Sequence, residues 1–218
     1  MRIETNFFII ESDEIIPNIN EIIVFLDKRV EEILDFFEIT SPKKKQIIFW
    51  NNIDEYIKHL SKYTEYQDGM CADTFDKKIN VLSLEENHKT KTHANMTEKA
   101  FRENIAHEYV HTCQQDLETE ESKTNSWFYE ALATNLGNSE QFGKLYKIEV
   151  TREELENFNK IENNRYEIAY TIGRYILENY SKEEILEFVK YPSLLNIETD
   201  KILSGAKRWV QEVKENTK

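Results

Sequence analysis

Two histidines four residues apart have the types and spacing that most directly permit chemistry in this chain. His107 and His111 enclose Glu108 in the sequence H-E-Y-V-H, within a segment whose apolar residues recur at helical spacing. On a helix, side chains four positions apart lie one above the other, so both imidazoles can reach one tetrahedral metal ion at about 2.0 Å. Glu108 lies about 100° further round the helix, where it can contact a metal-bound water without being a ligand.

A third metal ligand has to come from a second element, because a catalytic zinc ion usually takes three protein ligands and leaves a fourth position for water. Glu130 is a single carboxylate in the apolar helical segment 127–133. An ionised carboxylate facing an apolar core costs free energy unless it is paired or bound to a metal. The glutamates of the polar run 117–121 fit a solvated loop instead. We predict Zn²⁺ ligation by His107, His111 and Glu130; the alternative for Glu130 is a solvent-facing position on an amphipathic helix.

The elements that must position these residues follow from hydrophobic periodicity, which predicts an α+β fold. The first part of the chain predicts a small mixed sheet with helices: strands at 5–11, 46–50, 70–75 and 79–84, and helices at 20–38 and 53–63. The last two strands flank residues 76–78 and predict a hairpin or two neighbouring strands. From about residue 95 the pattern is helical, with helices predicted at 97–115, 126–136, 152–158, 165–180, 182–190 and 200–214.

Three helix starts carry a capping side chain three residues before a carboxylate: Asn95, Thr151 and Ser181. With few glycines and prolines and no repeats, nothing marks a linker between independent domains. We therefore predict one domain over 1–218, with a sheet lobe at about 1–95 and a mainly helical lobe at about 96–218.

Charge and hydropathy exclude several classes of partner. The chain carries 41 Asp and Glu against 28 Lys and Arg, so its net charge of -13 repels nucleic acid. No apolar stretch approaches the roughly 18 residues that a membrane-spanning helix needs, so no membrane insertion is expected. The apolar run 7–10 is followed by acidic residues and makes a poor signal peptide, which favours a cytoplasmic location, although a mature secreted form would look the same.

Cys71 and Cys113 are too few for a disulfide framework, and we expect both to be reduced and buried.

The zinc-binding pattern resembles that of the gluzincin zinc peptidases. H-E-x-x-H is followed by 18 residues and then by Glu130 in a Trp-x-x-Glu-Ala-x-Ala context, similar to compact bacterial relatives of the aminopeptidase-type branch. The resemblance runs from about Met96 to the C-terminus. It implies a zincin-like fold, one Zn²⁺ per chain, and hydrolysis of a peptide or protein substrate with Glu108 as general base.

Two further segments are compared with that family. Tyr170 to Gly173 resembles its Tyr-x-x-Gly segment, which implies that Tyr170 donates a hydrogen bond to the oxyanion of the reacting peptide. The alternatives are that Tyr170 packs a helical core, or that Tyr166 is the donor. The resemblance also implies that strand 79–84 forms the edge of the substrate cleft. The Gly-x-Met-Glu-Asn segment that holds a free amine in the aminopeptidases is absent, since segment 69–73 lacks its Glu, so endopeptidase action is favoured.

Side chains that orient the zinc-binding histidines would complete the site, and Glu103, Thr134 and Asn135 are unranked candidates. A competing hypothesis is a regulatory or toxin-like protein that keeps a zincin fold to bind a partner, with little general proteolysis. The intact Glu108 argues against it, because a structural zinc site has no use for a base. A helical scaffold without metal is the third alternative.

Overall fold

The computed structural model describes residues 1–64, 70–119, 125–137, 141–142 and 144–216. The chain divides into two compact units, Met1–Thr112 and Cys113–Lys218. The division falls inside the helix that carries His107 and His111. Within the described residues the fold is α+β, as predicted, with the strands in the first unit and helices in both.

A mixed five-stranded sheet, counted over the described residues, forms the centre of the first unit. Its order is β1-β2-β3-β5-β4. Strands β2, β3 and β5 run parallel, and β1 and β4 pair antiparallel at the two ends. The five strands are β1 Arg2–Glu4, β2 Phe8–Ser12, β3 Lys45–Trp50, β4 Ala72–Asp73 and β5 Ile79–Leu82.

Helices make the connections between the parallel strands of this unit, as parallel pairing requires. Helix α1 (Ile19–Phe36) follows β2, and α2 (Ile53–Leu60) follows β3. Helix α1 buries Ile22, Leu26, Val30, Ile33 and Leu34, which recur at helical spacing and form one apolar face. A short α3 (Leu84–Asn87) precedes α4 (Glu98–Leu117).

The described part of the second unit contains helices. They are α5 Ser126–Leu136, α6 Arg152–Glu156, a 3-10 turn Phe158–Lys160, α7 Arg165–Asn179, α8 Lys182–Lys190 and α9 Pro192–Asn216. Helices α5 and α7 lie close together, because Gly173 presents no side chain to the α5 backbone and Asn135 donates a hydrogen bond to the Tyr170 carbonyl at 2.9 Å.

Helix starts follow the predicted capping chemistry at two of three positions. Thr151 and Ser181 each form a complete capping box. The prediction at Asn95 was wrong: α4 begins at Glu98, and the hydroxyl of Thr97 accepts the hydrogen bond from the Ala100 amide at 3.1 Å. Thr97 is the better-placed cap because it directly precedes the first helical residue.

Several boundaries differ from those that periodicity predicted. The strand expected at 5–11 is β2, which begins only at Phe8 because Thr5 accepts the Phe7 and Phe8 amides in a turn, and β1 precedes it. Helix α9 begins at Pro192, well before the predicted residue 200, since proline fits the first turn of a helix.

The identity of the sheet edge also differs from the expectation. Residues 79–84 were expected at the edge, but β5 is buried and lies between β3 and β4. The edge strands of the described sheet are β1 and β4, and β4 pairs antiparallel with β5, which agrees with the predicted hairpin.

Two smaller expectations concern the cysteines and the membrane. Cys71 and Cys113 are free thiols; Cys113 is buried, but Cys71 as a residue is partly exposed, so the expectation that both are buried was wrong for Cys71. Among the described helices, none combines the length and apolar character needed to cross a bilayer.

Substitution of the glycine between α5 and α7 should destabilise the second unit. A Cβ at Gly173 would lie 2.2 Å from the backbone oxygen of Ala131, so Gly173→Ala must push the helices apart. We expect the free energy of unfolding in urea to fall by about 1–3 kcal/mol, despite the gain in helix propensity.

Gly205→Ala is the matched control for that measurement. A Cβ there meets the hydroxyl end of Tyr175, a side chain that can move, rather than backbone. A smaller loss is therefore expected. Equal stability of the two variants would contradict the close approach of α5 and α7.

Candidate metal centre

Helix α4 places the two histidines of the motif side by side. Their Nε2 atoms lie 3.1 Å apart, and their rings meet edge to face with centroids 4.7 Å apart. Two nitrogen ligands of one tetrahedral zinc ion are about 3.3 Å apart, because each lies about 2.0 Å from the ion. The separation of His107 and His111 therefore fits a shared ion.

Glu108 joins the two histidines in one cluster. One ligand atom from each of the three residues lies within 4.8 Å of the others, so the described structure contains a group that could hold a metal ion. His107 is buried, whereas Glu108 and His111 are partly exposed. The cluster thus combines a buried anchor with an accessible side, as a site for a small substrate or water requires.

The orientation of α4 follows from the apolar residues that alternate with the motif. Phe101, Ile105 and Tyr109 recur every four residues and are buried in the first unit. The rings of Phe101 and Phe49 lie 6.2 Å apart, and those of Tyr109 and Phe8 lie 5.5 Å apart in an edge-to-face contact. These pairs fix the helix against the sheet, and the histidines therefore occupy a neighbouring face of α4.

Glu108 has two neighbours that sequence reasoning missed. Burial of the thiol and, to a lesser extent, the negative charge of Glu108 raise the pKa of Cys71 to about 12. The pKa of Tyr56 is also raised, chiefly by burial, with Glu108 among the lesser causes. Cys71 directly precedes β4, and Asn104 of α4 donates a hydrogen bond to its sulfur at 3.3 Å. The edge strand therefore begins beside the motif.

No local signal in the sequence could have identified these neighbours. Cys71 and Tyr56 lie far from the motif in the chain, and only the strand order brings β4 and α2 towards it. A second group that could hold a metal ion, His59, Asp73 and Asp76, was missed for the same reason.

The predicted third ligand lies in the second unit. Glu130 is on α5, partly exposed between the buried residues Tyr129 and Ala131. Its backbone carbonyl accepts a hydrogen bond from the Thr134 hydroxyl at 2.7 Å. Residues 126–136 are helical as predicted, and metal ligation by Glu130 stays a prediction.

The two tyrosine candidates also lie in the second unit, on α7. The Tyr170 ring stacks on Phe142 with centroids 5.4 Å apart. Tyr166 is exposed; the guanidinium of Arg165 lies 4.9 Å from its ring centroid and donates a hydrogen bond to its hydroxyl at 3.3 Å. The role of either tyrosine as oxyanion donor stays a prediction.

The three candidates for orienting the histidines lie in different units. Glu103 is buried on α4, one turn before His107, with the Lys99 ammonium 3.9 Å away. Thr134 and Asn135 donate to backbone carbonyls of the second unit. That any of the three orients a zinc-binding histidine stays a prediction.

Comparison of the chain with protein-family models, with curated proteins and with solved structures gives no match.

The electrostatic effect of Glu108 on Cys71 has a measurable consequence for the reactivity of the thiol. With its pKa near 12, the Cys71 thiol of the metal-free protein should be protonated, and inert to iodoacetamide, at neutral pH. Glu108→Gln removes a neighbouring negative charge, which favours the thiolate. We expect the alkylation rate of Cys71 at pH 9 to rise in this variant.

Mass spectrometry of the alkylated peptides makes that measurement, and Cys113 in the same sample is the internal control. An unchanged pH profile for Cys71 in the Glu108→Gln protein would contradict the proximity of the two side chains.

Proposed function

We propose that this protein is a zinc-dependent peptidase with a zincin-like fold of the gluzincin type. The observation that carries the proposal is the pair of imidazole nitrogens 3.1 Å apart on α4, with the carboxylate of Glu108 in the same cluster. A purely structural zinc site would have no use for a carboxylate beside its histidines. The resemblance of the His107 to Glu130 pattern to the gluzincins supports the same proposal.

The residues of the motif fit zinc in their chemistry. Two imidazoles and the predicted carboxylate of Glu130 form the His₂Glu ligand set that suits a catalytic Zn²⁺, with a fourth position left for water. Zinc bound there supplies a Lewis acid that lowers the pKa of its water towards about 7. The ligands would be His107, His111 and Glu130, one ion per chain.

Glu108 acts as the general base in this proposal. Its carboxylate takes a proton from the attacking water and delivers it to the leaving amine as the peptide bond breaks. Tyr170 donates a hydrogen bond to the oxygen of the scissile carbonyl as negative charge develops there.

The edge strand supports endopeptidase action more than removal of single N-terminal residues. Strand β4 is at an end of the described sheet and directly follows Cys71, whose thiol feels the charge of Glu108. We propose that an extended peptide pairs with this end of the sheet by main-chain hydrogen bonds. The carboxylate of β4, Asp73, is buried and accepts hydrogen bonds from Tyr56, Phe75 and Asn80. It is therefore not presented to bind a substrate's free amine.

Glu108→Gln separates metal binding from catalysis. Both histidines remain, so we expect the variant to bind zinc as the wild type does and to lose peptide hydrolysis by at least about 100-fold, the contribution of a general base. Zinc content by atomic emission and cleavage of a mixed peptide library, each with and without chelator, make the measurement.

The matched control is Glu98→Gln, an exposed glutamate at the start of the same helix. It should change neither zinc content nor hydrolysis. Hydrolysis by Glu108→Gln at the wild-type rate would refute the mechanism. A wild-type protein that binds zinc but cleaves no peptide would favour the alternative of a zincin-fold regulatory or toxin-like binding protein.

A further inference from the structure

We propose a second site for a divalent transition-metal ion, formed by His59, Asp73 and Asp76 in the first unit. This inference does not depend on the proposed peptidase activity. The three residues come from the last turn of α2, from β4 and from the turn between β4 and β5. One ligand atom from each lies within 4.8 Å of the others.

The buried imidazole of His59 is the observation that points to a ligand. His59 is 6% exposed, and the Nε2 atom of its ring has no hydrogen-bond partner among the described residues. A buried nitrogen without a partner is costly in a folded protein. A metal ion would provide the partner that the described residues do not.

The spacing of His59 and Asp73 suits a shared ion better than a hydrogen bond. His59 Nε2 lies 3.5 Å from Asp73 Oδ1. This distance exceeds that of an ordinary N–H···O hydrogen bond, about 2.9 Å. The imidazole nitrogen therefore faces the Asp73 carboxylate, and an ion between them would bind this nitrogen and the freer oxygen, Oδ2, which accepts from Tyr56.

Aromatic side chains hold the imidazole in this orientation. Its ring centroid lies 5.1 Å from that of Trp50 and 5.3 Å from that of Tyr63, and Tyr56 stacks nearly parallel to it at 6.3 Å. Such packing restricts the rotamers of His59 before any ion binds. The site is therefore preorganised on this side.

Asn80 orients the two carboxylates. Its side-chain oxygen accepts a hydrogen bond from the Trp50 indole at 3.1 Å, which fixes which end of the amide faces the aspartates. Its Nδ2 atom donates to Asp73 at 3.2 Å and to Asp76 at 2.9 Å. Groups that hold ligating carboxylates in place in this way are typical of metal sites.

Both carboxylates keep capacity for an ion. Asp73 accepts from Tyr56, Phe75 and Asn80, and Asp76 accepts from Lys78 and Asn80. The bonds from the Phe75 amide and Asn80 fall on Oδ1 of Asp73, and those from the Lys78 amide and Asn80 on Oδ1 of Asp76. A carboxylate offers about four acceptor positions, so the free ones are on Oδ2 of each aspartate. The Lys78 ammonium lies 4.0 Å from Oδ2 of Asp76, at the outer limit of an ion pair.

Electrostatics support a cation at this position. Asp73 is 3% exposed, and among the described residues His59 forms the one ion pair with its carboxylate. A divalent ion would compensate the negative charge of that carboxylate. One imidazole with two carboxylates suits Zn²⁺, and the ion would join α2 to the edge strand β4.

Zinc titration of a protein without the first cluster tests the proposal. In His107→Ala/His111→Ala, checked for folding by circular dichroism, isothermal titration calorimetry should still detect about one Zn²⁺ per chain. Adding His59→Asn should weaken that binding by more than about 100-fold. Loss of a group that only hydrogen-bonds to a metal ligand already costs about 10–100-fold in affinity, and His59 would be a ligand itself. His88→Asn is the matched control, because its Nε2 already bonds the Met96 carbonyl and is exposed.

Total zinc in the otherwise wild-type chain provides a second readout if the double variant fails to fold. In the chain that keeps both His107 and His111, His59→Asn should lower the zinc content by one ion per chain. The ion at His107 and His111 should remain bound, whatever the peptidase activity. A folded double variant that binds no zinc, or binding that survives His59→Asn, would overturn the proposal and leave a buried histidine–aspartate pair only.

Discussion

The structure depends on a helix that holds two imidazoles face to edge, with their nitrogens 3.1 Å apart. Their spacing is set by one helical turn, and the helix is held by aromatic contacts with the sheet rather than by the histidines themselves. Apolar packing therefore provides the rigidity, and the polar residues on the adjacent face of α4 are left for chemistry. Such separation of packing from function lets a site be held within a few tenths of an ångström.

The sheet contributes through the strand at its end. Strand β4 consists of Ala72–Asp73 only. Cys71, directly before it, accepts a hydrogen bond from Asn104, and burial together with the charge of Glu108 raises its pKa. Asp73 accepts hydrogen bonds from Tyr56 and Asn80. A two-residue edge strand makes few backbone hydrogen bonds to its neighbour, so these side-chain hydrogen bonds help to hold it in place. The second cluster, around His59, belongs to the same framework, because it joins this strand to α2.

The sequence could predict those features that depend on residues close together in the chain. The H-E-x-x-H residues meet because of helical spacing alone, so the cluster of His107, Glu108 and His111 was predictable, as were the capping boxes at Thr151 and Ser181. Strand order depends on pairing between distant segments, so the interior position of β5 and the contact of Cys71 with α4 were not. The ligand role of Glu130 and the catalytic role of Tyr170 involve elements distant in the chain, and they stay predictions.

The most direct test of the central claim is anomalous diffraction at the zinc absorption edge from crystals of the zinc-loaded protein. We expect an anomalous peak within about 2.1 Å of Nε2 of both His107 and His111. A carboxylate oxygen of Glu130 should lie at a similar distance from the peak, and Glu108 should not be a ligand. A fully loaded crystal with no peak between the two imidazoles, or with Glu108 as a direct ligand and Glu130 remote, would contradict that claim.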